Sequence, residues 1–288
     1  MIRLKHLKVL IIGLGQIGGS MGLDLINRKI VREVIGYDIN SHTARMAKNI
    51  SAVNSISLNL THSVPTADLV ILATPIRQTI KILPLILPAV KSNACIIDTA
   101  GIKSEILNTV NSCSPSVNYI SCHPIAGTEG QGIQAAQPNL FADSFFAMTE
   151  KNKTSQEWIE AIKLLIKKLG AEPFGIKAET HDRNISLTSH LPYLMAISLT
   201  NLIGHQSLNA KNLKKMIGGS YKSATRVAQS SPELSLDMFM SNRESVITAI
   251  DRFSYELMKI KRLINSGDEK ELKKIISAAN KRATKFHT

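Results

Sequence analysis

The chain has 288 residues, which is enough for about two domains of ordinary size. Its 44% hydrophobic and 20% charged residues are typical of a globular protein. No run of eighteen apolar residues and no signal-peptide pattern is present. The three cysteines (Cys95, Cys113 and Cys122) form no CxxC pair, and the histidines lack metal-binding spacing. We therefore predict a cytoplasmic protein with no metal site and no membrane association.

The net charge of +13 is compatible in principle with a nucleic-acid partner. The excess of lysine and arginine is spread over both halves of the chain. No helix-turn-helix, zinc module or aromatic-basic stripe accompanies it. We predict no nucleic-acid partner, and the sequence offers no specific reason for the charge.

The first half alternates short apolar runs, rich in β-branched residues, with amphipathic segments. This alternation predicts βα units that build a mostly parallel sheet covered by helices. Between the last two runs, the segment TSQEWIEAIKLLIKKLG begins with a capping Thr or Ser and ends at Gly170, as a helix does. The predicted strands are residues 8–12, 33–38, 68–74, 94–100, 118–122, 145–149 and 172–176.

From about Glu179 onward, long segments with helical periodicity replace the strands. One such segment runs from Leu191 to Ile203, and another runs from Met238 to Ile260. We predict an α/β dinucleotide-binding domain at residues 1–177, followed by an all-α domain at residues 178–288. Helices this apolar need additional partners, so we expect a homodimer formed through them.

A glycine-rich loop follows the first predicted strand. Gly13, Gly15 and Gly18 have GxGxxG spacing, with Gln16 and Ile17 between them, and a helix follows. Such glycines allow a tight turn and a close approach of backbone to pyrophosphate at a helix N-terminus. This context is typical of the doubly wound Rossmann-type fold.

Asp38 lies at the end of the second predicted strand, twenty residues beyond Gly18. A carboxylate at this position accepts hydrogen bonds from the ribose hydroxyls and repels a 2′-phosphate, which favours NAD. Arg45, on the next helix, keeps NADP open as the alternative cofactor.

Three further strand ends are expected to face the nicotinamide, because ligands in such sheets bind beyond the carboxyl ends of the strands. His123 follows the strand at 118–122. Taken alone, this histidine is either functional or bonded within a strand end. The other two strand ends supply Thr74, Pro75, Ile76, Thr99 and Gly101 as candidate cofactor contacts.

The order and spacing of five motifs resemble the prephenate and arogenate dehydrogenases of tyrosine biosynthesis. The motifs are GLGQIGGS, DTAGIKSEI, HPIAGTE, HDRNISLTSHLPYLMA and GGSYKSATRVAQSSPELSLDMF. The resemblance implies an oxidative decarboxylation with NAD(P). Hydride leaves the ring carbon that bears the hydroxyl, a base takes the hydroxyl proton, and loss of CO₂ makes the ring aromatic. It implies that His123 is this base, a task that suits a neutral imidazole.

The resemblance also implies substrate contacts. Arg226 corresponds to the arginine that grips the side-chain carboxylate, and its alternative is a surface arginine. His190 is either a substrate contact or a core histidine bonded to the Thr188 carbonyl, which Pro192 leaves without a helical partner. Gly219, Tyr193 and Thr128 are further substrate contacts. The family's ionic network at the mouth of the site, its gate, corresponds to Glu129, Asp182 and Lys222.

Two positions depart from the family. Gly101 stands where many relatives have a serine that orients the catalytic histidine, so Thr99, Ser104 or a water must replace that contact. Tyr193 stands where some prephenate-specific relatives have a second histidine. A phenol supplies no positive charge at neutral pH, so this difference favours arogenate.

Three alternative hypotheses for the function remain. A β-hydroxyacid or 6-phosphogluconate type dehydrogenase would share the fold and use a lysine of the helical domain for proton transfer. A non-catalytic regulator that senses NAD and binds nucleic acid would explain the charge. A Cys122 nucleophile is disfavoured, because adjacent strand residues point to opposite faces.

Overall fold

The computed structural model describes residues 2–113, 116–126, 130–151, 154–204 and 210–286. Within these ranges one eight-stranded sheet has the order β3-β2-β1-β4-β5-β6-β7-β8. Its strands are β1 Lys8–Ile12, β2 Glu33–Tyr37, β3 Ser55–Ile56, β4 Leu69–Leu72, β5 Cys95–Asp98, β6 Asn118–Ile125, β7 Phe145–Glu150 and β8 Glu172–Gly175.

Neighbouring strands are parallel except for β6 and β7, which pair antiparallel. The predicted mostly parallel doubly wound sheet is confirmed. The seven predicted strands are present, and the strand that sequence analysis missed is β3, whose two residues are too few to show a periodicity.

The described helices are α1 Gln16–Asn27, α2 Ser41–Asn49, α3 Leu60–Ser63, α4 Ile76–Ile86, α5 Ser104–Cys113, α6 Gln156–Lys168, α7 Ala178–Ile185, α8 Leu191–Gly204, α9 Ala210–Met216, α10 Gly219–Thr225, α11 Pro232–Ser241, α12 Arg243–Ser266 and α13 Glu269–Phe286. A π-helical turn at Ser186–His190 joins α7 to α8. The expected all-helical second half is confirmed for the described residues.

The helix predicted before Gly170 is confirmed with its caps. The Ser155 side chain accepts a hydrogen bond from the Trp158 amide, and Gly170 adopts φ +88° just beyond the end of α6. The single helical segment predicted from Met238 to Ile260 is wrong. It is two helices, because Asn242, at φ −124° and ψ 32°, leaves the helical conformation between α11 and α12.

The sheet is buried on both faces, which explains why its central strands read as continuous apolar runs. Along β1, Val9 and Ile11 belong to one core, and Leu10 and Ile12 belong to another. Successive side chains point to opposite faces of a strand, so each face of β1 supports its own layer of helices.

The carboxyl ends of β1, β4, β5 and β6 lie at the same edge of the sheet, since these strands are parallel. One prediction changes here. His123 does not follow its strand, because β6 continues to Ile125 by pairing with β7, and His123 lies opposite Ala147 within that pair.

The chain divides into two compact units, residues 1–242 and residues 243–288. In the second unit α12 and α13 pack against each other. The domain boundary predicted between residues 177 and 178 stays a prediction. Among the helices of the described ranges, none combines the length and apolar character needed to cross a membrane.

Helix α6 offers a test of the core that it covers. Leu165 is fully buried, whereas its neighbour Leu164 is 46% exposed. We expect Leu165→Ala to lower the free energy of unfolding by about 2–5 kcal/mol, because it leaves a cavity. Leu164→Ala should cost less than about 1 kcal/mol. Urea unfolding of both variants measures the difference, and equal losses would contradict the assigned buried face.

Candidate active site

A cleft of about 500 Å³ opens at the carboxyl edge of the sheet, bounded by the glycine loop, three strand ends, the π-helical turn and α11. Ten predicted site residues line it together: Gly15, Gln16, Ile17, Thr74, Pro75, Ile76, Thr99, Gly101, His123 and His190. Other lining residues were not predicted from the sequence, among them Ser189, Ser231, Leu234 and Met238. Those four lie on, or immediately before, helical segments whose orientation no local pattern reveals.

The three glycines of the loop have different functions. Gly13 has φ +93°, and a Cβ there would lie 2.6 Å from the Ala73 carbonyl oxygen. A Cβ at Gly18 would overlap the Gly13 carbonyl, so this glycine lets α1 pack against the loop. Gly15 has no atom within 4 Å of its Cβ position, and this leaves backbone open to the cleft. An open backbone position at the start of α1 fits a dinucleotide pyrophosphate.

Asp38 is held in place beside this loop. One carboxylate oxygen accepts the Leu14 amide at 2.9 Å, and the other accepts the Asn40 amide at 2.9 Å. Each oxygen retains a second lone pair for a ribose hydroxyl. The side chain is half-buried, whereas Arg45 on α2 is exposed.

A buried lysine ties β5 to β6 next to His123. The Lys103 ammonium has no exposed surface and donates to Asp98 Oδ1 at 3.2 Å, the Ala100 carbonyl at 2.7 Å, Ser121 Oγ at 2.9 Å and the Cys122 carbonyl at 2.7 Å. Asp98 Oδ2 accepts the Tyr119 hydroxyl at 2.8 Å. The pairing of Lys103 with Asp98 was not predicted from the sequence. The available signal was a lysine and an aspartate within a segment that is otherwise apolar.

His123 contacts a second histidine. Its Nδ1 lies 2.9 Å from Nε2 of His181, and His181 Nδ1 lies 2.8 Å from Asp182 Oδ1. Burial lowers the pKa of His123 well below its ordinary value, and the charge of Lys103 acts in the same direction. His123 is therefore neutral, and a proton acceptor, at neutral pH.

The family serine has no direct substitute among the described side chains. The Thr99 hydroxyl donates to the Leu72 carbonyl at 3.3 Å, and the Ser104 side chain interacts with Asp182. A Cβ added to Gly101 would lie 3.6 Å from His123 Nε2. The partner of the His123 ring is instead His181, which sequence analysis did not identify.

His190 is buried, and its Nδ1 lies 3.3 Å from the amide nitrogen of Asn242. That amide also donates to the Asp182 carbonyl at 2.7 Å, which fixes its orientation as a donor. His190 must therefore accept at Nδ1 and carry its proton on Nε2. Burial lowers its pKa to about 4, so the ring is a neutral N–H donor beside the cleft. A π-helical turn precedes Pro192, and the Leu191 amide bonds to the Ser186 carbonyl there.

The other predicted substrate contacts lie outside the described lining of this cleft. Arg226 and Lys222 are exposed, and Gly219 begins α10. The Tyr193 hydroxyl lies 2.8 Å from Ser235 Oγ, and its ring packs edge-on against Phe239. Thr128 and Glu129 fall outside the described residues.

Asp182, predicted as part of the gate, is in the interior. It is 4% exposed, and its carboxylate accepts the Lys103 and Ser104 amides at 2.9 and 2.8 Å. This position does not suit an ionic contact at the mouth of a cleft, so Asp182 is better described as a partner of His181.

Comparison with protein-family models gives two consecutive matches. Residues 21–174 match the model described as "Prephenate dehydrogenase, nucleotide-binding domain". Residues 177–278 match the one described as "Prephenate dehydrogenase, dimerization domain".

Individual relatives belong to the same family. The chain is 30% identical to a cyclohexadienyl dehydrogenase of Zymomonas mobilis over 265 residues, which are 92% of this chain and 90% of the relative. It is 29% identical to a prephenate dehydrogenase of Bacillus subtilis, covering 92% of this chain and 72% of the relative. A solved prephenate dehydrogenase from A. aeolicus, in complex with hydroxyphenyl propionate and NAD⁺, is 27% identical with a TM-score of 0.91 over 97% of this chain and 98% of that one. The chain belongs to the prephenate dehydrogenase family.

Proposed function

We propose that this chain is an oxidoreductase that converts prephenate to 4-hydroxyphenylpyruvate, or arogenate to tyrosine, by oxidative decarboxylation. The observation that supports this most directly is the position of His123. A neutral imidazole lines the same cleft as the open glycine loop and the ends of β4 and β5. Dehydrogenation of an alcohol needs this combination of a base and a dinucleotide site.

The glycine loop and Asp38 are proposed to hold NAD. Gly15 leaves backbone open for the pyrophosphate at the start of α1, and each Asp38 carboxylate oxygen keeps a lone pair that a ribose hydroxyl could use. When bound, NAD⁺ supplies the acceptor for the hydride of the substrate's ring carbon. A negative charge at Asp38 disfavours a 2′-phosphate, so we expect NAD to be preferred over NADP.

His123 is proposed to take the substrate's hydroxyl proton on Nε2. Gly101 carries no side chain beside that nitrogen, so a hydroxyl group can approach it. His190 is proposed to donate its Nε2–H to substrate. The ketone formed is conjugated to the carbon that bears the ring carboxylate, which makes loss of CO₂ and aromatisation favourable.

The rival dehydrogenase reading requires a lysine of the helical domain at the cleft. No lysine is among the cleft-lining residues in the described part of the chain. Lys103 belongs to the sheet domain, and its ammonium is occupied by four acceptors. These observations favour a histidine base.

The remaining finer predictions are part of this proposal. Arg226, Tyr193, Gly219 and Thr128 are kept as substrate contacts, with Glu129 and Lys222 as gate residues. We propose a homodimer, supported by exposed apolar side chains on α12 such as Tyr255, Leu257 and Ile264 and by the family description of residues 177–278 as a dimerization domain. Three cysteines without disulfides support a cytoplasmic location.

The decisive test combines purified protein with prephenate or arogenate, each with NAD⁺ or NADP⁺, and follows absorbance of the reduced cofactor. We expect turnover with NAD⁺, and the Tyr193 position favours arogenate as the better substrate. Four inactive combinations from folded protein would refute the proposed function.

Replacement of the base should separate chemistry from binding. We expect His123→Asn to lower kcat by about 10²–10⁴-fold, the range that general-base catalysis contributes, with NAD⁺ affinity unchanged. Cys122→Ala is the matched control, since it alters the adjacent buried residue of β6 and should stay active. Steady-state kinetics and NAD⁺ titration measure both variants, and full activity of His123→Asn would exclude a base role.

The pH profile should reflect the lowered pKa of His123. Only the neutral form of His123 can accept a proton, so protonation of the ring removes the activity. Because the pKa of His123 is lowered, this loss of activity occurs at a lower pH than for an ordinary histidine. We expect kcat/KM to stay level down through pH 6.5, the ordinary histidine value, and to fall only below it. Circular dichroism at each pH controls for unfolding. An acid limb centred above pH 6.5 would contradict the depressed pKa.

A further inference from the structure

His123 is the first member of a hydrogen-bonded chain that runs into the interior. Its Nδ1 lies 2.9 Å from His181 Nε2, and His181 Nδ1 lies 2.8 Å from Asp182 Oδ1. The two inner members are 3% and 4% exposed, so water competes little for these contacts. The two rings are inclined at 72° with their centroids 5.1 Å apart, so they meet edge-on and do not stack.

We propose that His181 and Asp182 are positioning residues that hold His123 in the tautomer with a free Nε2 and take up the positive charge that forms when it accepts a proton. The proposal rests on the proposed function for the identity of the proton donor, a substrate hydroxyl. It assigns a role to two residues on α7 that touch neither the cleft nor the reacting atoms.

The direction of each hydrogen bond follows from the Asp182 end of the chain. Burial acts to raise the pKa of Asp182, but hydrogen bonds from His181, Ser104 and the Lys103 amide outweigh burial and lower it. An ionised carboxylate only accepts, so His181 Nδ1 donates. Neutral His181 then has its lone pair on Nε2, and His123 Nδ1–H donates to it. The remaining nitrogen of His123, Nε2, is unprotonated and adjacent to Gly101.

The same hydrogen bonds allow the positive charge to move from His123 to His181. The substrate O–H bond breaks, and an N–H bond forms at His123 Nε2, which makes this ring an imidazolium. The Nδ1–H bond of His123 can then break as an N–H bond forms at His181 Nε2. His123 returns to neutral, and the imidazolium is now His181, in contact with the Asp182 carboxylate. No proton or electron is gained or lost in the second step.

The charges around His123 explain why it needs such a partner. The titratable groups that face it are Lys103 from the β5–α5 connection, His181 and Asp182 from α7, and His190 from the π-helical turn. Lys103 and the two histidines all disfavour a second positive charge, and Asp182 favours it. Asp182 is therefore the group that can offset the charge, and His181 connects it to His123.

The contact between His181 and His123 is more important in this chain because Gly101 has no hydroxyl that could orient the His123 ring. With no hydroxyl at residue 101 and with Thr99 occupied by the Leu72 carbonyl, His181 is the side chain bonded to the His123 ring in the described structure. His181 approaches Nδ1, the side away from Gly101, so it orients the ring without obstructing Nε2.

The kinetic test compares His181→Gln with wild type and with Thr149→Val. Thr149 is the matched control, because its hydroxyl donates to the carbonyl of Ile176, the residue after β8, at 2.8 Å, and its strand partner on β6 is Ser121 and not His123. We expect His181→Gln to lower kcat by about 10–100-fold, with KM values nearly unchanged. This loss is smaller than the one expected on removing the general base itself. The acid limb of kcat should also move to lower pH, because the His123 imidazolium loses its link to Asp182.

A merely structural role for His181 would lower activity without moving the pH limb, as Thr149→Val is expected to do if it has any effect. Unchanged kcat and an unchanged limb in folded His181→Gln would overturn the proposal. Thermal unfolding of each variant establishes that it is folded.

A second measurement needs neither substrate nor a variant at His181. Two-bond ¹⁵N–¹H spectra of wild type, with the His123 signals assigned by their absence in His123→Asn, report which ring nitrogen carries the proton. We expect Nδ1 of His123 to be protonated and Nε2 free. Protonation at Nε2 would overturn the proposal even in an active enzyme. The expected tautomer in an enzyme that is inactive in all four substrate and cofactor combinations would refute the proposed function and leave the hydrogen-bonded chain intact.

Discussion

The ammonium group of Lys103 is the interaction on which the rest of the site depends. It is fully buried, and its charge is balanced by Asp98 and by three oxygen acceptors, one just beyond β5 and two within β6. One of these is the carbonyl of Cys122, the residue before His123. Loss of either Lys103 or Asp98 would leave the other as an uncompensated buried charge, which typically costs about 3–5 kcal/mol of stability. The end of β5 is therefore held against β6 next to His123.

Interior polar contacts extend from this point to the helical half. The Lys103 amide and the Ser104 amide both bond to Asp182, so the start of α5 is fixed against α7. Asp182 then contacts His181 through its carboxylate and Asn242 through its carbonyl. Asn242 in turn orients His190. The tautomers of the two histidines that line the cleft thus both depend on Asp182. Its carboxylate acts on His123 through His181, and its backbone carbonyl acts on His190 through Asn242.

Much of the framework was predictable, because it depends on local patterns. Apolar runs of strand length, the glycine spacing and the capped helix before Gly170 each reflect an interaction between near neighbours in sequence. Parallel strands place their carboxyl ends at one edge, so the proximity of Thr74, Thr99 and His123 followed from topology alone. The contact between His123 and His181 did not, because it joins residues 58 apart whose helix orientation depends on tertiary packing. The burial of Asp182 was not predictable for the same reason, because it depends on how α7 packs against the start of α5.

The thiol of Cys122 has a consequence for chemical durability. Burial raises its pKa to about 12, so at neutral pH only about one molecule in 10⁵ carries the thiolate at this position. Oxidants and alkylating agents attack the thiolate, and Cys95 is equally buried with a raised pKa. Of the three cysteines, Cys113 is the exposed one, and it lies at the end of α5. The sulfur atom adjacent in sequence to the base is thereby protected from oxidants and alkylating agents, whereas the thiol of Cys113 is accessible to them.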